Sequence, residues 1–113
     1  MDGLREKLAQ AVKMIEQTGK TYASARAVSW LLQEQRKIVL AEEARKADGS
    51  SMAERENRAR GSEAYRIHLA GTSDAIKQEL TAKAEYERWQ AQWESIRSLI
   101  SFEKKQMEVF KED

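Results

Sequence analysis

The chain has no cysteine, no proline, five glycines in 113 residues and an aromatic share of 7%. Without cysteine there is no disulfide, no thiolate metal site and no thiol nucleophile. The one histidine, His68, has no HxxxH or HExxH partner. Metal ligation and acid–base catalysis need clustered ligands or a partnered base, so His68 reads as an ordinary surface or half-buried residue. No glycine-rich phosphate loop is present. These gaps point away from an enzyme, and nothing asks for a cofactor or a metal. No stretch approaches the roughly 18 apolar residues of a membrane span. The start, "MDGLREKLAQ", lacks the apolar core of a signal peptide. A soluble, cytoplasmic protein is the expectation.

What fills the chain instead is charge, at 35% of residues, and Lys, Glu, Ala, Arg and Gln, all strong helix formers. That balance approaches the compositional signature of coiled coils. The length suits one domain, and a domain of this size is only marginally stable alone. The net charge is +1 but uneven: residues 1–46 sum to +3, 47–73 to 0 and 74–113 to −2. A weakly basic front and an acidic back suit one side facing a polyanion; a well-mixed solvated surface gives the same contrast.

The expected fold class is all-α: one elongated helical domain over 1–113, with helices at about 4–18, 22–46, 52–70 and 74–110. Leu4, Leu8, Val12 and Ile15 form one face of an amphipathic helix, and Gly19 is a plausible stop. In the second helix Val28, Leu31, Leu32, Ile38 and Val39 make the stripe, with Trp30 beside it. Asp48-Gly49-Ser50-Ser51 is a turn signal, and Ser51-x-x-Glu54 fits a capping box opening a third helix. Gly71-Thr72-Ser73 predicts a further break, with Thr72 or Ser73 capping the last helix.

The last segment carries the clearest periodicity. Ala75, Glu79, Ala82, Tyr86, Trp89, Trp93, Ile96, Ile100, Glu103, Met107 and Phe110 alternate four and three, a heptad seam polar only at its glutamates. A helix of about 37 residues spans on the order of 55 Å, too long for a compact globule of this size. Either the other helices lie along it or other copies of the chain do. The expectation is an oligomeric helical bundle or ring, with Ala82, Tyr86, Trp89, Trp93, Ile96 and Ile100 at the interface.

The basic residues form the other constellation. On a helix from Met52, Arg55, Arg58, Ser62 and Arg66 share one face. Arg45 and Lys46 end the preceding helix, where cations suit the dipole. With Arg36 and Lys37 these seven cations could track phosphates, or form a solvated face neutralised by Glu54, Glu56 and Glu63. Trp89 and Trp93 read as packing residues, their neighbours Glu85, Glu87 and Glu94 being wrong for phosphate. Trp30, among Arg26, Arg36 and Lys37, has the better electrostatics for base stacking, though it adjoins Leu31 and Leu32.

The layout resembles a family of phage recombination mediators typified by UvsY. The residues that carry the likeness run from Tyr22 onward: Tyr22 and Trp30 early in a long helix, "QEQRKIVLAEEARKADG" running into an Asp-Gly turn, then "SMAERENRARGSEAYRIHLAGTSDAIKQEL" and a long aromatic-bearing C-terminal helix. The resemblance implies rings that bind single-stranded DNA and load a RecA-like recombinase onto strands covered by single-strand binding protein, in the cytoplasm of a bacterial host. The family's DNA-contacting basic positions match Arg45 and Lys46 here, preceded by Arg36 and Lys37. This sequence departs from the pattern in placing Glu42 and Glu43 just before them. The alternative expectation is a phage-encoded interaction protein, an adaptor or an inhibitor of a host system, that binds no nucleic acid.

Overall fold

The computed structural model describes residues 2–112. Their fold is all-α: α1 spans Asp2–Lys46, α2 Met52–Arg60 and α3 Glu63–Glu112. By contact the chain divides into two compact units. A terminal unit joins residues up to Tyr22 with residues from Thr81 onward, and a central unit is Ala23–Leu80.

Three of the expected helix boundaries are overturned. Gly19 does not stop a helix; α1 runs through it without a break. Glycine in a helix interior costs about 1 kcal/mol relative to alanine. Here its bare backbone admits a neighbour: a Cβ at Gly19 would stand 3.2 Å from Tyr86 Cε1. Nor do Gly71, Thr72 and Ser73 break α3. The Thr72 hydroxyl donates to the His68 carbonyl one turn back, at 2.8 Å, so it bonds inside the helix instead of capping a new one. The third correction lies at Gly61-Ser62, where the expected 52–70 helix divides. Gly61 N–H donates to the Arg58 carbonyl and closes α2. The Ser62 hydroxyl accepts from the Tyr65 N–H at 3.2 Å, capping α3.

The start of α2 follows the expected signal in its serine half. Ser51 Oγ accepts from the Glu54 N–H at 3.2 Å. The carboxylate of Glu54 reaches one residue further back than the box requires, accepting from Ser50 N–H at 3.0 Å and Ser50 Oγ at 3.2 Å.

In the terminal unit the end of the α1 segment meets the beginning of the α3 segment, with the Tyr22 and Tyr86 rings 6.0 Å apart. Because the rest of both segments also belongs to this unit, they run antiparallel. Ala11 and Ile96 are buried, and Leu4, Leu8, Ile15, Trp89, Trp93 and Ile100 are half-buried around them. The seam Ala82–Ile100 therefore has an occupant within its own chain: the apolar face of α1. Beyond Glu103 the same spacing comes into the open, with Met107 and Phe110 exposed.

The central unit has a different seam. Along α1, Ala25, Ser29, Leu32, Val39 and Glu43 are covered, again alternating four and three with one step at Arg36, and Leu40 and Ala44 are covered beside them. Val28, Leu31 and Ile38, expected in the stripe, are at least half exposed. On α3 the covered positions are Tyr65, His68, Thr72, Ala75, Ile76 and Glu79. Ser29 is fully buried and its Oγ accepts from Gln33 Nε2 at 2.9 Å. His68 Nε2 lies 2.8 Å from the Leu32 carbonyl. A carbonyl only accepts, so Nε2 carries the proton.

Candidate nucleic-acid interface

The site is built where α2 returns onto the last turns of α1. Lys37, Ala41, Ala44 and Arg45 recur on α1 at four, three and one, so they share a side of the helix. Ala44 is buried there, as is Ala59 on α2. Each side chain is a single carbon and takes up little room where it is covered. The flanking residues are longer, and they leave a groove of about 490 Å³ lined by Lys37, Leu40, Arg45, Met52, Arg55 and Glu56, among others. Three cations from two helices thus border one groove whose floor is apolar.

Three of the neighbouring carboxylates have partners of their own, Glu56 among them although it also lines the groove. Glu43 pairs with Lys46 at 3.6 Å, Glu56 with Arg60 at 3.8 Å, and Glu54 is held by Ser50. Among the described residues, Lys37, Arg45 and Arg55 have no carboxylate within ion-pair distance. Arg55 Nε donates to the Gly49 carbonyl at 3.0 Å, which anchors the guanidinium at the turn while its terminal nitrogens stay available. Charge-assisted hydrogen bonds to phosphate oxygens are the natural use of such groups.

The seven cations expected to act together are divided by the structure. Lys37, Arg45 and Arg55 line the groove. Lys46 is tied to Glu43 at the helix end. Arg58 is exposed on α2 and borders neither groove described here. Arg66 stands on α3, across the Gly61-Ser62 break, so the single face running from Arg55 to Arg66 does not exist. Arg36 occupies the seam position between Leu32 and Val39, yet it is exposed and lines a second groove.

That second groove, about 680 Å³, lies between α1 and α3 of the same unit. Gln33, Glu34 and Arg36 border it from α1, and Leu69, Thr72, Ser73, Ile76 and Lys77 from α3. Of these only Arg36 reads in the sequence as a binding residue; Thr72 and Ser73 read as helix caps. The available signal was a cation one heptad after a serine on the covered face, a local violation of the packing pattern of the kind that collects at functional sites.

The tryptophans separate cleanly. Trp30 is 62% exposed and borders neither groove. Trp89 and Trp93 sit in the covered seam, with the Arg88 guanidinium 5.3 Å from the Trp89 ring and that of Arg97 5.1 Å from the Trp93 ring. Both are within cation–π range, so a ring face of each is already used. Among the described residues no group of three His, Cys, Asp or Glu could hold a metal ion, and no helix is long and apolar enough to cross a membrane.

No family model, curated protein or solved structure matches the chain.

Proposed function

We propose that the chain binds single-stranded DNA through its central unit, as a recombination mediator of phage type that helps load a RecA-like recombinase and has no catalytic step of its own. The observation that carries the reading is the meeting of Lys37, Arg45 and Arg55 on one groove, where none of the three is ion-paired to a carboxylate among the described residues. Phosphate contacts supply most of the affinity of such binding and fix the strand's register without reading sequence. Lys46, Arg58 and Arg66 add to the positive field around the groove. The mediator role comes from the resemblance in layout.

The test is an anisotropy titration of a labelled single-stranded oligonucleotide at about 50 mM salt, paired with recombinase loading onto a strand covered by single-strand binding protein. Binding with faster loading supports the proposal. Absence of binding at that salt rejects it.

A second reading has its own observation. Val28, Leu31 and Ile38 on α1 and Leu99, Phe102, Val109 and Phe110 on α3 are each at least half exposed. Exposed apolar side chains in such number favour an interaction protein, whether the partner is another copy of the chain or a host protein. One stoichiometric partner with no bound DNA in a pull-down would favour it over the first.

A further inference from the structure

The groove between α1 and α3 adjoins the cation groove on the same side of α1. Gln33, Lys37, Ala41 and Ala44 recur at four, four and three. Gln33 lines the first groove; the other three line the second. From Gln33 to Arg45 the helix advances about 18 Å at 1.5 Å per residue. A strand whose phosphates meet Lys37, Arg45 and Arg55 reaches the α1–α3 groove without crossing the helix.

The two grooves differ in chemistry. The α1–α3 groove holds Leu69 and Ile76 as apolar surface, with Glu34, Gln33 and Arg36 along its α1 edge. A carboxylate at the rim is wrong for phosphate, but it accepts from the exocyclic amine of a base, as Glu and Asp do from cytosine N4. Gln33 spends one N–H on Ser29 Oγ, which orients the amide and leaves its carbonyl oxygen to accept. Arg36 offers a planar guanidinium of the kind on which unpaired bases stack. At about 680 Å³ the space is within the range of small-ligand clefts.

We infer that this groove is a nucleobase subsite. It takes up unstacked bases of the strand whose backbone is held at Lys37, Arg45 and Arg55. The inference rests on the single-strand reading above and adds to it that bases, not phosphates alone, contribute affinity. Contact with apolar side chains and stacking on the Arg36 plane tolerate any base, while the Glu34 carboxylate favours a base that carries an exocyclic amine.

The experiment compares two labelled 12-nucleotide strands with the full chain by anisotropy: oligo-dC, and an abasic strand of the same backbone. The wild type is expected to bind oligo-dC about ten-fold more tightly than the abasic strand. Leu69→Ser, at an exposed position, is expected to remove most of that difference while leaving abasic binding unchanged. Equal affinity of the wild type for both strands overturns the subsite and leaves phosphate binding standing. Failure of both strands to bind at about 50 mM salt overturns the single-strand reading, and the subsite with it. The wild-type comparison decides even if the variant does not fold.

Discussion

The ring of Tyr86 rests against the backbone of α1 at Gly19, so closely that a Cβ there would stand 3.2 Å from Cε1. Tyr86 is a seam residue of α3, and its ring also meets Tyr22. Gly19 is thus a socket, in a helix that nothing else interrupts. Gly71 makes a contrast: it too lies inside a helix, but a Cβ would meet nothing within 4 Å.

That contrast fixes a first prediction. Gly71→Ala gains helix propensity with no steric cost and should raise stability by about 1 kcal/mol. Gly19→Ala gains the same propensity but must push the Tyr86 ring back by a few tenths of an ångström, so its net gain should be less than half as large. Gly19→Val should destabilise. Urea denaturation of the three variants gives the order directly.

The terminal unit depends on few buried side chains. Ile96 is 5% exposed and Phe110 79%. Truncating a buried isoleucine loses transfer free energy and leaves a cavity, about 2–5 kcal/mol. Ile96→Ala should therefore remove a large share of the stability, while Phe110→Ala should change it by less than about 0.5 kcal/mol. Equal effects on the denaturation midpoint would contradict the packing described.

The central seam is polar without being cross-linked by its hydroxyls. Ser29 bonds to Gln33 and Thr72 to His68, each within its own helix; His68 to Leu32 crosses between helices. Removing the Ser29 and Thr72 hydroxyls should thus break no bond between helices. Ser29→Ala and Thr72→Val are expected to be neutral or stabilising by up to about 1 kcal/mol, because each replaces a buried polar group by an apolar one of similar size. Hydrogen exchange of the amides around residues 25–36 should slow or stay unchanged; acceleration would count against this account.

α2 has nine residues, too few to be stable alone. It holds Arg55 at the groove. Ser51→Ala removes the N-cap bond, at a cost of about 1 kcal/mol, and changes no charge. Its expected consequence is weaker strand binding at constant net charge, by several-fold in an anisotropy titration. Unchanged affinity would mean that the order of α2 does not matter for binding.

Much of the fold was legible, and the misplaced apolar stripe of α1 has one cause. Composition gave the all-α class, and the spacing from Ala75 to Glu103 gave the covered face of α3 almost residue by residue. Ser51 gave the start of α2. The misreading began at Gly19. Once a helix is taken to end there, the next stripe is free to begin in a new phase, and Val28, Leu31 and Ile38 look like its core. A continuous α1 keeps one phase, and the four-and-three spacing set by Leu4, Leu8, Ala11 and Ile15 then passes through Ala25 and Ser29. The socket that keeps the helix whole is a contact with Tyr86 on α3, and no local pattern announces it. The candidate site was half legible for the same reason. Lys37, Arg45 and Arg55 could be named as cations, but their meeting depends on the turn after Lys46 that brings α2 back beside α1.

The central claim is that Lys37, Arg45 and Arg55 hold phosphates together. The most direct measurement is the salt dependence of single-strand affinity, for the wild type and for the triple variant Lys37→Gln, Arg45→Gln, Arg55→Gln. Each phosphate contact on a single strand contributes about −0.7 to the slope of log K against log salt. The triple variant should bind more weakly, with a slope shallower by about 2. A slope and an affinity equal to those of the wild type would contradict the account.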